Sequence, residues 1–99
     1  MNYVQAKALA IDVIDDFTKL DVQSGYGTKY KAATKLDAVG IVDVIRAVMP
    51  HRTNKVFSNA STKWSNVGSI DLVQCSTIGD FIKLVCGHAF IAIPAGEPK

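Results

Sequence analysis

The residues of this chain that are best suited to chemistry lie in a short glycine-containing segment, residues 24–29. Here Gly25, Tyr26 and Gly27 precede Lys29, and we expect a helix to begin at this point. Backbone amides at a helix N-terminus, with a lysine beside them, can bind a phosphate group. The spacing does not match the nucleotide-binding P-loop, which also follows a strand rather than a helix. The segment is therefore a candidate phosphate or partner site, and the simpler interpretation is that the glycines only form a turn.

Positive charge is concentrated in the middle third of the chain. Residues 29–63 contain seven basic residues and two aspartates, a net charge of +5, whereas the whole chain of 99 residues has a formal charge of +2. Such a segment predicts a surface for a nucleic-acid backbone or an acidic protein, with aromatic side chains near its edges for stacking. The candidate binding residues in and beside it are Lys31, Lys35, Arg52, Lys55, Lys63 and Trp64. Solvated lysines without a partner are the alternative interpretation.

The histidines and cysteines do not form a recognisable catalytic or metal-binding pattern. His51 lies in a polar stretch, and Cys86 is separated from His88 by one glycine at an expected turn. Such a turn directs the thiol and the imidazole away from each other, and two ligands do not make a structural zinc site. Three aspartates in the first helix are most simply a solvated face. We therefore expect no catalytic residues, no metal and no cofactor, and we do not expect an enzyme.

The two cysteines also bear on the compartment. Cys75 and Cys86 are too few for a disulfide framework, and the expected strand pairing separates them beyond the reach of a disulfide. We expect both to be reduced and buried. No apolar run approaches the length of a membrane span, and the first residues lack the features of a secretory signal peptide. The expected compartment is the cytoplasm, and no membrane partner is expected.

Two helices are expected to position the candidate residues. In residues 2–20 apolar side chains recur at spacings of three and four, which predicts an amphipathic helix. The second helix is expected over residues 29–49 and ends before Pro50, because proline disfavours helical geometry in the residue that precedes it. Residues 39–45 are rich in β-branched side chains, so a strand is the competing interpretation there. Residues 50–55 are expected to be a polar connector.

The second half of the chain predicts strands. The expected strands are residues 56–60, 69–75, 81–86 and 89–93. The last two are apolar runs joined by Gly87 and His88, a pattern that predicts a β-hairpin. The order of elements predicts a single α+β domain, residues 1–99, in which two N-terminal helices pack on a small antiparallel sheet of three to four strands.

Both faces of the expected hairpin are apolar. An antiparallel sheet with one face in water normally alternates apolar and polar residues, so a second apolar face needs a cover. That face carries Phe81, Val85 and Phe90. The helix expected over residues 29–49 is also apolar around most of its circumference. We therefore expect a homodimer with Phe81, Val85 and Phe90 at its interface.

Binding fits this sequence better than catalysis. We expect a non-catalytic protein-binding module, such as a small inhibitor, adaptor or regulator, that acts as a homodimer and binds another protein. The alternative is a nucleic-acid-binding accessory protein that uses residues 29–63. A small enzyme or ligand binder that uses residues 24–29 is the third possibility.

Overall fold

The fold is helical, as seen in a computed structural model that describes residues 1–18 and 30–99. The helices are α1 (Tyr3–Thr18), α2 (Asp43–Ala60), α3 (Ser69–Val73) and α4 (Ile78–His88), with a 3₁₀ helix at Asp37–Val39. No β-sheet is present in these two ranges, where an isolated bridge between Lys35 and Thr77 is the one β-type pairing. The expectation of an α+β fold is therefore wrong.

Helix α1 confirms the first expected helix. Its buried residues include Ala6, Ala10, Val13 and Ile14, which recur at spacings of three and four along one face. Asn2 caps its N-terminus: the Asn2 side chain accepts from the Gln5 amide at 2.9 Å, and the Gln5 side chain accepts from the Asn2 amide at 2.9 Å. Both the stripe and the cap are local signals, so the sequence contains everything that this helix needs.

The expected second helix over residues 29–49 is wrong, because helix α2 begins and ends later in the chain. Residues 30–36 form turns instead, and the 3₁₀ helix follows them. Gly40 then adopts φ 87°, a left-handed conformation that glycine takes without the clash a Cβ atom causes. This glycine ends the 3₁₀ helix and turns the chain into α2. Residues 39–45 therefore form neither the expected continuous helix nor the alternative strand.

Pro50 lies inside α2 rather than after the end of a helix. Proline removes one helical hydrogen bond and normally breaks a helix. In α2 the ring of Pro50 is buried, and Met49, Thr53 and Phe57 continue the same buried face on either side of it. The packing of this face therefore outweighs the local cost of proline. The expected connector at residues 50–55 and the expected strand at residues 56–60 are both wrong, because both segments are helical.

The remaining expected strands are replaced by α3 and α4. The buried residues of α4 other than Gly79 have helical spacing: Ile78, Phe81, Ile82, Val85 and Cys86. This pattern of three and four places all of them on one side of a helix, whereas a strand would divide them between two faces. Residues 89–93 follow the helix as turn and irregular chain. The hairpin expected at Gly87 and His88 and the strand expected over residues 69–75 are therefore wrong.

The N-terminus of α4 is fixed by side-chain and backbone hydrogen bonds. Thr77 and Asp80 form a capping box, in which the Asp80 amide donates to the Thr77 hydroxyl at 3.1 Å and the Thr77 amide donates to the Asp80 carboxylate at 3.0 Å. The amides of Ile78 and Gly79 donate to carbonyls of the 30–36 segment, each at 2.9 Å. This segment is therefore docked against the beginning of α4.

One core joins the helices. Helix α1 packs against α2 and α4, and α3 packs against α2. Cys75 and Cys86 are free thiols within this core, and burial raises the pKa of each to about 11. Both thiols are therefore protonated and unreactive at neutral pH. No helix in the part of the chain that the structure describes is long and apolar enough to cross a membrane.

Thr53 carries a polar atom into this core and gives a testable prediction. Its side chain is fully buried, and its hydroxyl has no hydrogen-bond partner among the described residues. Thr53→Val keeps the shape and removes the unsatisfied group, so it should stabilise the fold by about 1 kcal/mol. Urea unfolding measures this change. Thr53→Ser is the control, because it keeps the hydroxyl and should instead destabilise the fold by loss of the methyl group.

Candidate binding groove

The structure places the sequence-predicted site residues in several separate regions. Gly25, Tyr26, Gly27 and Lys29 lie outside the described residues, so the phosphate site at residues 24–29 stays a prediction. The candidate lysines within the described residues are all exposed: Lys31, Lys35, Lys55 and Lys63. They are distributed over the segment that docks on α4, the outer surface of α2 and the chain after α2.

Two other basic residues of the 29–63 segment are engaged within the protein. Arg52 forms an ion pair with Asp16 of α1, with its Nε 3.0 Å from the carboxylate. Arg46 is buried, and its guanidinium donates to Asp37 at 2.9 Å and to the carbonyl of Ile41 at 3.1 Å. These two guanidinium groups hold elements of the fold together, so the charge of +5 overstates what the segment presents to a partner.

Trp64 is held inside a polar and aromatic cluster. Its ring stacks on Phe57 with the centroids 4.8 Å apart, and the ring of His88 lies 5.8 Å away. Its indole N–H donates to the side chain of Asn54 at 3.1 Å. Because one ring face and the N–H are in use, Trp64 fixes the chain after α2 onto the helices.

The three residues expected at a dimer interface are separated by the fold. Phe81 and Val85 are fully buried in the core side of α4, so they cannot lie at an interface of the chain as folded. The sequence assigns them to the same strand face as Phe90, but the helical turn directs them inward. Phe90, in contrast, is 72% exposed.

Phe90 follows the end of α4 in a conformation that aromatic residues rarely adopt. Its φ is 59°, in the left-handed region where glycine is favoured. The Ile91 amide donates to the Cys86 carbonyl at 2.9 Å, and the Phe90 amide donates to the Gly87 carbonyl at 3.3 Å. These two bonds form a Schellman motif, and Phe90 stands where that motif usually has glycine. The helix end therefore holds an exposed aromatic ring in a strained backbone conformation.

Phe90 borders a groove formed by the ends of three helices. The groove has a volume of about 380 Å³ and is lined by Met1 before α1, by residues 60–63 at the end of α2 and by residues 89–91 after α4. A second hollow of about 350 Å³ shares Met1 and Ala60 with it and extends along α1 to Gln5 and Leu9. We call these two adjoining hollows the Phe90 groove.

Cys86 and His88 are not among the residues that line the Phe90 groove. The Cys86 thiol lies in the core with a raised pKa, and the His88 ring donates from Nδ1 to the Ser65 carbonyl at 2.7 Å. The thiol and the imidazole therefore do not act as a pair. No group of three or more potential metal-ligating residues occurs within residues 1–18 and 30–99.

Most of the groove residues are not singled out by the sequence. Met1, Ala60 and Ile91 carry no functional motif, and they meet only because three helix ends converge. One signal does point to Phe90: the helical spacing of the apolar residues from Ile78 to Cys86 predicts a helix end just before it. A large aromatic residue at that position, where glycine is preferred, indicates either strain or function.

No family model, curated protein or solved structure matches this chain. A functional proposal for this chain therefore rests on the groove and the residues around it.

The strain at Phe90 gives a prediction of its own. Phe90→Gly should raise the free energy of unfolding by about 1 kcal/mol, because glycine adopts positive φ without the Cβ clash and the exposed ring contributes little burial. Urea unfolding measures the change. Phe90→Ala is the matched control, since it removes the ring but keeps the Cβ atom. Equal stabilities of the two variants would show that the left-handed backbone carries no cost.

Proposed function

We propose that this chain is a non-catalytic module that binds another protein through the Phe90 groove. One observation carries the proposal: a phenylalanine is 72% exposed at the end of α4, in a backbone conformation that costs stability. Phenylalanine is enriched at protein interfaces, where its ring buries a large apolar area. Strained residues persist at functional sites, where the surrounding structure holds them.

The nucleic-acid alternative has less support. A surface for single-stranded nucleic acid normally combines several free cations with aromatic rings on which bases stack. In this chain Arg46 and Arg52 are engaged in internal ion pairs, and Trp64 is stacked on Phe57. The exposed lysines of the 29–63 segment remain available to an acidic partner of any kind.

The mass of the complex distinguishes a second copy of this chain from a different protein. Phe81 and Val85 are buried, so a homodimer of the folded chain would use Phe90 without them. Self-association through Phe90 predicts a sedimentation mass of two chains for the protein alone, which returns to one chain in Phe90→Ser. We further propose the cytoplasm as the compartment, which is supported by the two free, buried cysteines.

A phage-displayed library of random peptides, selected on the purified chain, tests the proposed function. Selected peptides should bind Phe90→Ser at least about thirtyfold more weakly than the original chain, as expected for an aromatic residue that anchors an interface. Ile70→Ser is the matched control, because Ile70 on α3 is 73% exposed and does not line the groove. It should bind as the original chain does.

Two results would contradict this function. One is that selected peptides bind Phe90→Ser as tightly as the original chain, and the other is that selection yields no binding peptide. Thermal unfolding of both variants, followed by circular dichroism, establishes that each is folded before binding is compared.

A further inference from the structure

Lys63 gives the Phe90 groove its charge. Of the side chains within residues 1–18 and 30–99 that line either hollow, Lys63 is the only ionisable one. It is exposed, and it lies on the same rim as Ser61 and Thr62. Phe90 and Ile91 form the other side. The groove thus places a lysine side chain opposite two apolar side chains.

The helix ends at the groove do not cancel this positive charge. Helix C-termini carry partial negative charge on carbonyls that lack partners. At α4 the carbonyls of residues 85–88 all accept backbone hydrogen bonds. Their donors are, in order, the amides of Ala89, Ile91, Phe90 and Ser65. At α2 the Ser61 amide donates to the Phe57 carbonyl at 2.9 Å. The full positive charge of the Lys63 ammonium exceeds the partial negative charge that the remaining α2 carbonyls contribute.

The surrounding charges have the same sign. Between Val44 and Ile70 the sequence has no aspartate or glutamate and four basic residues; Arg52, Lys55 and Lys63 are exposed, and Arg52 is paired with Asp16. The carboxylate of Glu97, near the beginning of α1, is already paired: it accepts from the Tyr3 hydroxyl at 3.0 Å and lies 3.4 Å from the Lys7 ammonium. An acidic ligand therefore approaches the groove more favourably than a basic one.

We propose that the groove binds an extended segment of a partner protein in which a large apolar side chain is flanked by a carboxylate. The apolar side chain packs against Phe90 and Ile91, and the carboxylate pairs with Lys63. This inference rests on the proposed function and specifies its partner. One lysine side chain beside Phe90 and Ile91 favours such a peptide over single-stranded nucleic acid, whose backbone is followed by several cations.

Three immobilised peptide pools test the partner chemistry. Each pool has Leu, Ile, Phe or Trp at a central position, and the neighbouring positions are acidic in the first pool, amide-bearing in the second and basic in the third. The original chain should bind the acidic pool about threefold to tenfold more tightly than the neutral pool at low salt, and this preference should weaken as salt is added. Oligo(dT) is a fourth probe.

Charge reversal at Lys63 makes the test specific. Lys63→Glu should shift the preference from the acidic to the basic pool. Lys83→Glu is the matched control, because it makes the same change at an exposed lysine of α4 that does not line the groove. It should keep the preference of the original chain. Both variants are compared with Phe90→Ser, which should bind every pool weakly.

The other outcomes separate this inference from the proposed function. If all three pools bind equally and binding still requires Phe90, the proposal of an acidic partner is wrong and the protein-binding function stands. Binding that is absent, or that is independent of Phe90, overturns both. Tighter binding of oligo(dT) than of any pool, lost in both Lys63→Glu and Phe90→Ser, also overturns both and assigns the groove to nucleic acid.

Discussion

Gly79→Ala is expected to destabilise the protein by roughly 2–3 kcal/mol, as overpacking of a close contact usually does. Gly79 is buried in the first turn of α4, and a Cβ atom there would lie 2.9 Å from the Ala32 Cβ and 3.0 Å from the Ala32 carbonyl oxygen. That carbonyl accepts the Gly79 amide hydrogen bond at 2.9 Å. Because the Ala32 carbonyl belongs to the backbone, it cannot move aside without breaking the hydrogen bond that docks the 30–36 segment.

The same helix supplies the control for this prediction. Gly87 lies near the end of α4 with no atom within 4 Å of the position that its Cβ would take. Gly87→Ala should therefore stabilise the protein by up to about 1 kcal/mol, because alanine is the better helix former. Urea unfolding followed by circular dichroism measures both variants. If Gly79→Ala proved as stable as Gly87→Ala, the docking of the 30–36 segment on α4 would be incorrect.

Asn54→Ala is expected to cost about 2–4 kcal/mol, because it removes three partly buried hydrogen bonds. The Asn54 carbonyl oxygen accepts from the Trp64 indole at 3.1 Å and from the Val67 amide at 2.8 Å. Its side-chain amide donates to the Val67 carbonyl at 3.0 Å. This one side chain therefore ties α2 to the chain that leads into α3, and its loss leaves three polar groups without their partners.

Trp64 is the chain's single tryptophan, so its fluorescence reports on this connection directly. Asn54→Asp keeps an acceptor for Trp64 and Val67 but cannot donate to the Val67 carbonyl, and it should lose part of the stability. Asn59→Ala, at an exposed position of the same helix, should stay within about 0.5 kcal/mol of the original chain. Equal unfolding midpoints for Asn54→Ala and Asn59→Ala would contradict the bridging role of Asn54.

The candidate site is only partly contained in the sequence. The sequence does single out Phe90, but as part of one face of a β-hairpin. The structure has helix α4 in place of that hairpin. The exposure of Phe90 follows instead from its place after the last turn of that helix, where the chain turns through a left-handed residue. Lys63 is selected by its charge, and only the fold puts it beside Phe90. The remaining groove residues have no sequence signal, because their roles depend on the convergence of three helix ends.

The choice between hairpin and helix at residues 78–93 shows why pattern alone can mislead. The same apolar residues support two runs joined by Gly87 and His88 or one stripe with helical spacing, and short apolar runs do not distinguish these periods. The local signal that does distinguish them is the pairing of Thr77 with Asp80, a capping box at the beginning of a helix. Giving that cap more weight than the β-branched composition predicts α4 correctly.

The sequence by itself determines the elements whose signals are local: the apolar stripe of α1 with its Asn2 cap, and the capping box that begins α4. The tertiary structure decides the conformation where local signals favour two alternatives about equally. Packing in the core allows α2 to continue past Pro50, and it places the ends of α1, α2 and α4 next to Phe90 and Lys63. The physical reason is one of magnitude: local propensities differ by at most a few kcal/mol, even for proline, whereas the burial of several large side chains contributes more and depends on residues far away in the chain.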